Sequence, residues 1–271
     1  MIQTKPIRGL STGWIQQGPA DASVPILLFL HGCPDSPEIW NAQIEHFSKD
    51  FLVIAPYLRG IGLSQPTDDL RRYGLEAMAL DNLEILREVD PTGLRKVFVI
   101  GHDIGAIHAW HIASLLKKRL GGLIAMNGPS LYQMAKRVTN LRQLKKSWYI
   151  GLFQLPVIPE FLLKNASLLP RNRVFNQKIA DKLLPFLGQY RQAVRSIPKI
   201  LMNPPKAIKS PVLVLWGKND PFLEVPSAEE LRPLASNCTI RVLDAGHWVQ
   251  TDAAVKINEL VSSFLSDKLS V

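Results

Sequence analysis

The stretch Lys96-Val97-Phe98-Val99-Ile100-Gly101-His102-Asp103-Ile104-Gly105 decides how this chain is read. Its first half is a short β-rich apolar run, the pattern of a strand buried on both faces. Its second half, Gly-x-Asp-x-Gly, is a tight turn into a helix expected over Ala106–Leu120. In such a turn the glycines let the strand and helix backbones press together, and the central side chain is lifted above the strand end. Here that residue is Asp103 rather than the more usual Ser, and the helix N-terminus beside it favours an anion. Alone, the same stretch also reads as an ordinary strand–turn–helix junction in which Asp103 caps the helix.

Outward from this turn, the pattern repeats. Strands are expected at Ile26–Leu30, which ends at His31-Gly32, and at Phe51–Ala55, which leads into the turn Arg59-Gly60-Ile61-Gly62. A helix over Leu75–Val89 stops at Asp90-Pro91-Thr92-Gly93, and a further strand covers Gly122–Met126. Strand and helix alternation with continuous apolar strands implies an α/β fold, a mostly parallel sheet flanked by helices. The pattern breaks between Leu131 and Ser210, where helical segments are separated by Pro156, Pro159, Pro170, Pro185, Pro198 and Pro204-Pro205. It resumes with strands at Val212–Trp216 and Thr239–Leu243 and a closing helix over Ala253–Leu265. The expected organisation is one α/β core, residues 1–130 and 211–271, interrupted by an inserted helical cap, residues 131–210.

The length of 271 residues suits one such domain with an insertion, and 46% hydrophobic with 20% charged residues is the profile of a compact soluble protein. Charge is unevenly spread. Within 131–210 lie 15 basic and two acidic residues (Glu160 and Asp181), a net of +13 against +9 for the whole chain. The bland reading is a solvated basic face. No aromatic-interleaved basic motif points to nucleic acid. Lys5 and Arg8 are followed by small and polar residues rather than an apolar run, so no secretory leader is expected, and apolar stretches such as Val24–Leu30 are strand-length, too short for a membrane span. Cys33 and Cys238 supply neither a disulfide framework nor a metal-ligand spacing, and a reducing cytoplasm is the expected compartment.

Two more residues fall at strand ends. Asp220 lies in Gly217-Lys218-Asn219-Asp220-Pro221-Phe222 and His247 in Ala245-Gly246-His247-Trp248. The order nucleophile, acid, histidine is a known order of triad members, and carboxyl ends of parallel strands are where open sheets place their sites. His247 is the expected base and Asp220 its partner. The loop His31-Gly32-Cys33-Pro34 follows another buried strand, so the backbone N–H of Cys33 and that of Ile104 are a candidate oxyanion hole. His31, Gly32, Pro34 and His102 are supporting residues of the two turns, and the Cys33 thiol is packing or pocket lining.

A carboxylate nucleophile changes the chemistry. It is a poor acyl acceptor but can displace a leaving group at saturated carbon, giving an alkyl ester that water then hydrolyses. Epoxides and alkyl halides are the candidate substrates, and no metal or organic cofactor is needed.

On His31-Gly32-Cys33-Pro34, Arg59-Gly60-Ile61-Gly62, Gly101-His102-Asp103-Ile104-Gly105, Gly217-Lys218-Asn219-Asp220 and Gly246-His247-Trp248, the chain resembles the epoxide hydrolases of the α/β-hydrolase fold. It is more distantly similar to haloalkane and haloacetate dehalogenases. The resemblance covers essentially the whole chain. It implies that the helical insertion is a cap carrying two tyrosines that hydrogen-bond the epoxide oxygen, and Tyr149 and Tyr190 stand in segments similar to those of the family. Ile104 stands where many relatives carry Trp, which counts against halide binding of the haloalkane type. No Arg follows the nucleophile as in the haloacetate type, and Tyr57 stands where Asp is more common. The expected partners are therefore a small epoxide and water, with the oligomeric state open between monomer and homodimer. A dehalogenase using the same three residues, and a non-catalytic binding protein with a basic cap, are the competing readings.

Overall fold

The computed structural model describes residues 1–165 and 183–269. Eight strands form one sheet: β1 (Ile2–Ile7), β2 (Leu10–Gln17), β3 (Ile26–Leu30), β4 (Leu52–Pro56), β5 (Val97–His102), β6 (Leu120–Met126), β7 (Val212–Gly217) and β8 (Cys238–Leu243). Their spatial order is β1-β2-β4-β3-β5-β6-β7-β8. The pairs β1–β2 and β2–β4 are antiparallel, and all the others are parallel. The mostly parallel α/β sheet expected from the apolar runs is what forms.

The central strands are buried along their length because both faces are covered. Side chains alternate between two cores, as the pleat requires. Ile26, Leu28, Leu30, Val97 and Val99 enter one core, while Leu27, Phe29, Phe98 and Ile100 enter the other. The first core is covered by α2 (Leu75–Val89) and α3 (Ile104–Leu116). The second is covered by α1 (Asn41–Phe47) and by the last two helices of the chain.

The N-terminal hairpin was not read from the sequence. Its strands, IQTKPI and LSTGWIQQ, lie at the sheet edge and are too polar to stand out. The signal is the two-residue link Arg8-Gly9, where both residues take positive φ (49° and 82°), the geometry that suits a two-residue hairpin turn. Predicted helix ends also moved. The helix after Asp103 ends at Leu116 rather than Leu120, because Leu120 and Gly121 already begin β6.

Between β6 and β7 the described residues contain only helices: α4 (Leu131–Lys136), α5 (Leu141–Lys146), α6 (Trp148–Leu152), α7 (Ile158–Lys164) and α8 (Leu183–Met202), with short 3-10 turns. Pro170 and the rest of 166–182, part of the expected cap, lie outside the described residues. Beyond β7 come α9 (Ala228–Leu231), α10 (Val249–Asp252) and α11 (Ala254–Leu269).

Arg59 is buried and ion-paired with Asp81 of α2, which Arg8 also reaches at 3.2 Å. This joins the glycine-rich turn after β4 to the helix behind it. Burial lowers the Arg59 guanidinium pKa to about 10, helped by the nearby charges of Arg72 and Arg8, and still leaves it charged at neutral pH.

Candidate active site

Asp103 sits between β5 and α3 with φ 54° and ψ −126°, a conformation that L side chains rarely adopt. Its carboxylate makes no capping bond to the helix, so the helix-cap reading of this residue fails. Close approach on three sides holds it there. A Cβ on Gly101 would lie 2.4 Å from the Gly105 carbonyl, and one on Gly105 would lie 2.3 Å from the Leu30 carbonyl. At Gly32 a Cβ would come within 2.8 Å of the Asp103 carboxylate itself. The strained turn therefore depends on glycine both within it and in the facing loop.

That facing loop delivers a donor. The Cys33 N–H points to Asp103 Oδ2 at 3.2 Å, and the Ile104 N–H is also directed at the carboxylate. His31 fixes the loop from beneath. Leu58 N–H donates to His31 Nε2 at 3.1 Å, so the ring proton is assigned to Nδ1, which donates to the Gly32 carbonyl at 2.8 Å. Pro34 follows a cis peptide bond with Cys33. The Cys33 side chain packs with Ile104, Tyr149 and Phe186 and accepts from the buried Gln189 amide at 3.5 Å.

His247 Nδ1 lies 2.8 Å from Asp220 Oδ2, and its Nε2 lies 3.7 Å from Asp103 Oδ1. The carboxylate partner places the imidazole proton on Nδ1 and leaves Nε2 facing Asp103. Burial alone would disfavour a charged His247. The hydrogen bond and charge of Asp220, with the charges of Asp103 and Asp35, outweigh it and raise its pKa above the usual histidine value. Asp220 is likewise buried, yet His247, Asn127 and the Phe222 N–H together hold its pKa below the ordinary carboxylate value. For Asp103, burial dominates and raises the pKa, despite His247 and the two N–H groups. His102 is buried beneath, with Nε2 2.9 Å from the His247 carbonyl, and burial lowers its pKa to about 3, so it stays neutral.

Above Asp103 is an apolar cavity of about 260 Å³ that Asp103 and Ile104 floor and Tyr149 and Tyr190 wall. The two tyrosine rings, from α6 and α8, meet nearly edge to face at 6.0 Å. Burial raises both phenol pKa values, reinforced at Tyr149 by the negative charge of Asp103 and at Tyr190 by the neighbouring Tyr149 and then by Asp103, so both remain proton donors at neutral pH.

All eleven residues singled out in the sequence thus gather at this one place. Several others were missed. Asn127, after β6 and at φ 41°, donates to Asp220 Oδ2 at 2.6 Å and accepts from the Gly217 N–H at 3.0 Å. Its signal was the Asn-Gly pair at a strand end, which reads equally well as a plain turn. Asp35 accepts from the Trp248 indole at 3.0 Å, and Phe222 packs edge-on against His247. Tyr57 has a local role. It underlies Gly62 and bonds Glu38, and burial with that carboxylate pushes its pKa up to about 12.

The loop carrying Asp220 is also braced by the helical segment. Lys146 Nζ donates to the Asp220 carbonyl at 2.8 Å and pairs with Glu224 at 3.0 Å. Arg137 pairs with Glu230 at 2.6 Å. The buried Gln143 donates to the Phe222 carbonyl (3.0 Å) and accepts from the Glu224 N–H (3.0 Å). Arg137 and Lys146 are thus engaged by this loop, while Lys136, Arg142, Lys145 and Lys164 stay exposed as a solvated basic face would have them. Gln143→Leu leaves the Glu224 N–H unpaired and the Phe222 carbonyl with the Ser147 hydroxyl alone, at 3.1 Å. It is expected to cost about 2 kcal/mol, read as a lower denaturation midpoint at unchanged slope.

Comparison with known proteins gives a consistent setting. A family model described as alpha/beta hydrolase fold matches residues 25–254. The chain is similar to Epoxide hydrolase 2 of Caenorhabditis elegans, 28% identical, covering 98% of this chain and 79% of that one. It is also similar to AB hydrolase superfamily protein YfhM of Bacillus subtilis, 30% identical, covering 90% and 91%. A crystal structure of a mutant of an epoxide hydrolase from Bacillus megaterium aligns with TM-score 0.80 at 25% identity, covering 97% of this chain and all of that one.

Proposed function

The chain belongs to the α/β-hydrolase fold family, and on that premise we propose that it is an epoxide hydrolase that opens an epoxide to a vicinal diol. The observation that carries this reading is the pair of protonated phenols, the buried Tyr149 and the partly buried Tyr190, which line one apolar cavity together with Asp103. The helices of 131–210 then act as a cap that supplies those phenols and excludes water.

In the first step Asp103 Oδ1, the oxygen not held by Cys33 N–H, attacks a ring carbon, and the carbon–oxygen bond breaks. The oxygen leaves as an alkoxide and takes a proton from one phenol, giving a hydroxyalkyl ester and a tyrosinate. In the second step His247 Nε2 takes a proton from water, and the hydroxide attacks the Asp103 carbonyl carbon. Asp220 stabilises the imidazolium, while the Cys33 and Ile104 N–H groups receive the oxyanion. Collapse expels the diol with the proton from His247. Ionisation of the regenerated Asp103 carboxyl then frees the proton that restores the phenol.

Product identification from a panel of epoxides and alkyl halides tests the reading. Diol formation supports it, while halide release without any diol would assign the same three residues to a dehalogenase. Tyr149→Phe and Tyr190→Phe are each expected to lower epoxide turnover by about 10²-fold, and the double variant by more. Full activity in the double variant would remove the phenols from the mechanism.

The pH dependence has a definite sign. Hydrolysis needs neutral His247, so its rate falls on the acid side. Esterification removes the charge of Asp103, one of the charges that raise the His247 pKa. The acid limb of single-turnover ester hydrolysis is therefore expected at lower pH than the His247 titration of the free protein followed by NMR. A limb at the same pH or higher would contradict this coupling.

A further inference from the structure

The mouth of the catalytic cavity opens on an unusual surface. Val138 and Leu144 line the cavity and are also 48% and 45% exposed, so they form its rim. Leu141, three residues before Leu144 on α5, continues that helical face and is 81% exposed, and Trp148, the first residue of α6, is 54% exposed. Exposed apolar side chains on this scale are not needed by the fold.

The charge around them is one-sided. Residues 131–165 contain six basic residues and one acid, Glu160. Glu160 is engaged by Arg191, and Arg137 and Lys146 are engaged by Glu230 and Glu224. Lys136, Arg142 and Lys145 are left exposed beside the apolar rim.

We propose that this rim is a docking surface for an anionic lipid bilayer. Leucine and tryptophan side chains inserted at the acyl boundary, with lysine and arginine at the headgroups, are the composition of an interfacial surface. Among the described residues no helix is long and apolar enough to cross a membrane, so the contact is a peripheral one. A second copy of the chain fits less well, because a two-fold pairing through this face would set its basic residues against each other. Docked in this way, the cavity mouth faces the bilayer. Resting on the epoxide reading, apolar epoxides dissolved in lipid would enter without crossing water.

The test is flotation of the full chain with phosphatidylcholine vesicles containing about one-third phosphatidylserine. Binding is expected, weaker on pure phosphatidylcholine and weaker at high salt. Leu141→Glu and Lys145→Glu, neither of which lines the cavity, should each lower partitioning about tenfold. Both should retain wild-type turnover of a water-soluble epoxide and a wild-type circular dichroism spectrum. No binding to the anionic vesicles would overturn the proposal. So would binding that both variants retain, or binding equal on neutral vesicles and insensitive to salt. Self-association in the ultracentrifuge that Leu141→Glu abolishes, without vesicle binding, would assign the face to a second copy instead. Vesicle binding is read without substrate, so it stands or falls apart from the epoxide chemistry.

Discussion

His247→Gln is expected to halt the reaction after its first half and leave the protein as a stable ester. Gln cannot take the proton from water, so hydrolysis should fall by about 10⁴-fold. Attack by Asp103 does not use His247 as a base, so ester formation should continue. Intact mass then discriminates between readings. Opening an epoxide adds the entire molecule, so the protein gains the full mass of the substrate. Displacement of a halide leaves only the alkyl group, lighter by one molecule of hydrogen halide. Proteolysis should place the adduct on the peptide containing Asp103. A variant that accumulates no adduct across both substrate classes would favour a non-catalytic protein. The histidine also balances charge in the buried site, so loss of its imidazolium should make Asp103 harder to ionise and slow the first half-reaction too. Incubation must therefore be long and substrate in excess.

What the sequence could tell was set by backbone chemistry. Gly101, Gly105 and Gly32 are legible because no other residue fits where their backbones approach, and they frame Asp103 as a unit. Asp220 and His247 were legible because parallel strands put their carboxyl ends on one edge, whatever the loops between them do. Asn127 was not, because the same dipeptide serves any turn, and only the fold shows its amide reaching Asp220. Gln143 and Lys146 were hidden for another reason. Their partners are backbone carbonyls and N–H groups 74 to 81 residues away, a relation that side-chain identity does not encode. The tyrosines stood between these cases. Their segments resembled the family's, but no helical periodicity places Tyr149 and Tyr190 within 6.0 Å of each other.

Asp103→Ala is expected to abolish turnover, by about 10⁴-fold or more, while making the protein more stable at neutral pH. The nucleophile is lost outright, and water has no route to the ester chemistry. The stability gain follows from burial. Because burial raises the Asp103 pKa, the native state holds this proton more tightly than the unfolded state does between the two pKa values. Stability therefore falls as pH rises through that window, and above it the native protein carries the full penalty of a buried charge. Alanine carries none. The variant should match the parent in acid, below the ordinary aspartate pKa, and exceed it by about 1 kcal/mol at neutral pH. The gap, followed by thermal melts from acid to neutral pH, should open in the acid range and then level off. Cys33 and Ile104 lose their acceptor, but Asp103 lines the cavity, so water entering the space its carboxylate vacates can replace it. A variant less stable than the parent at every pH would mean that Asp103 supports its turn, and the carboxylate would have to be read as structural before catalytic.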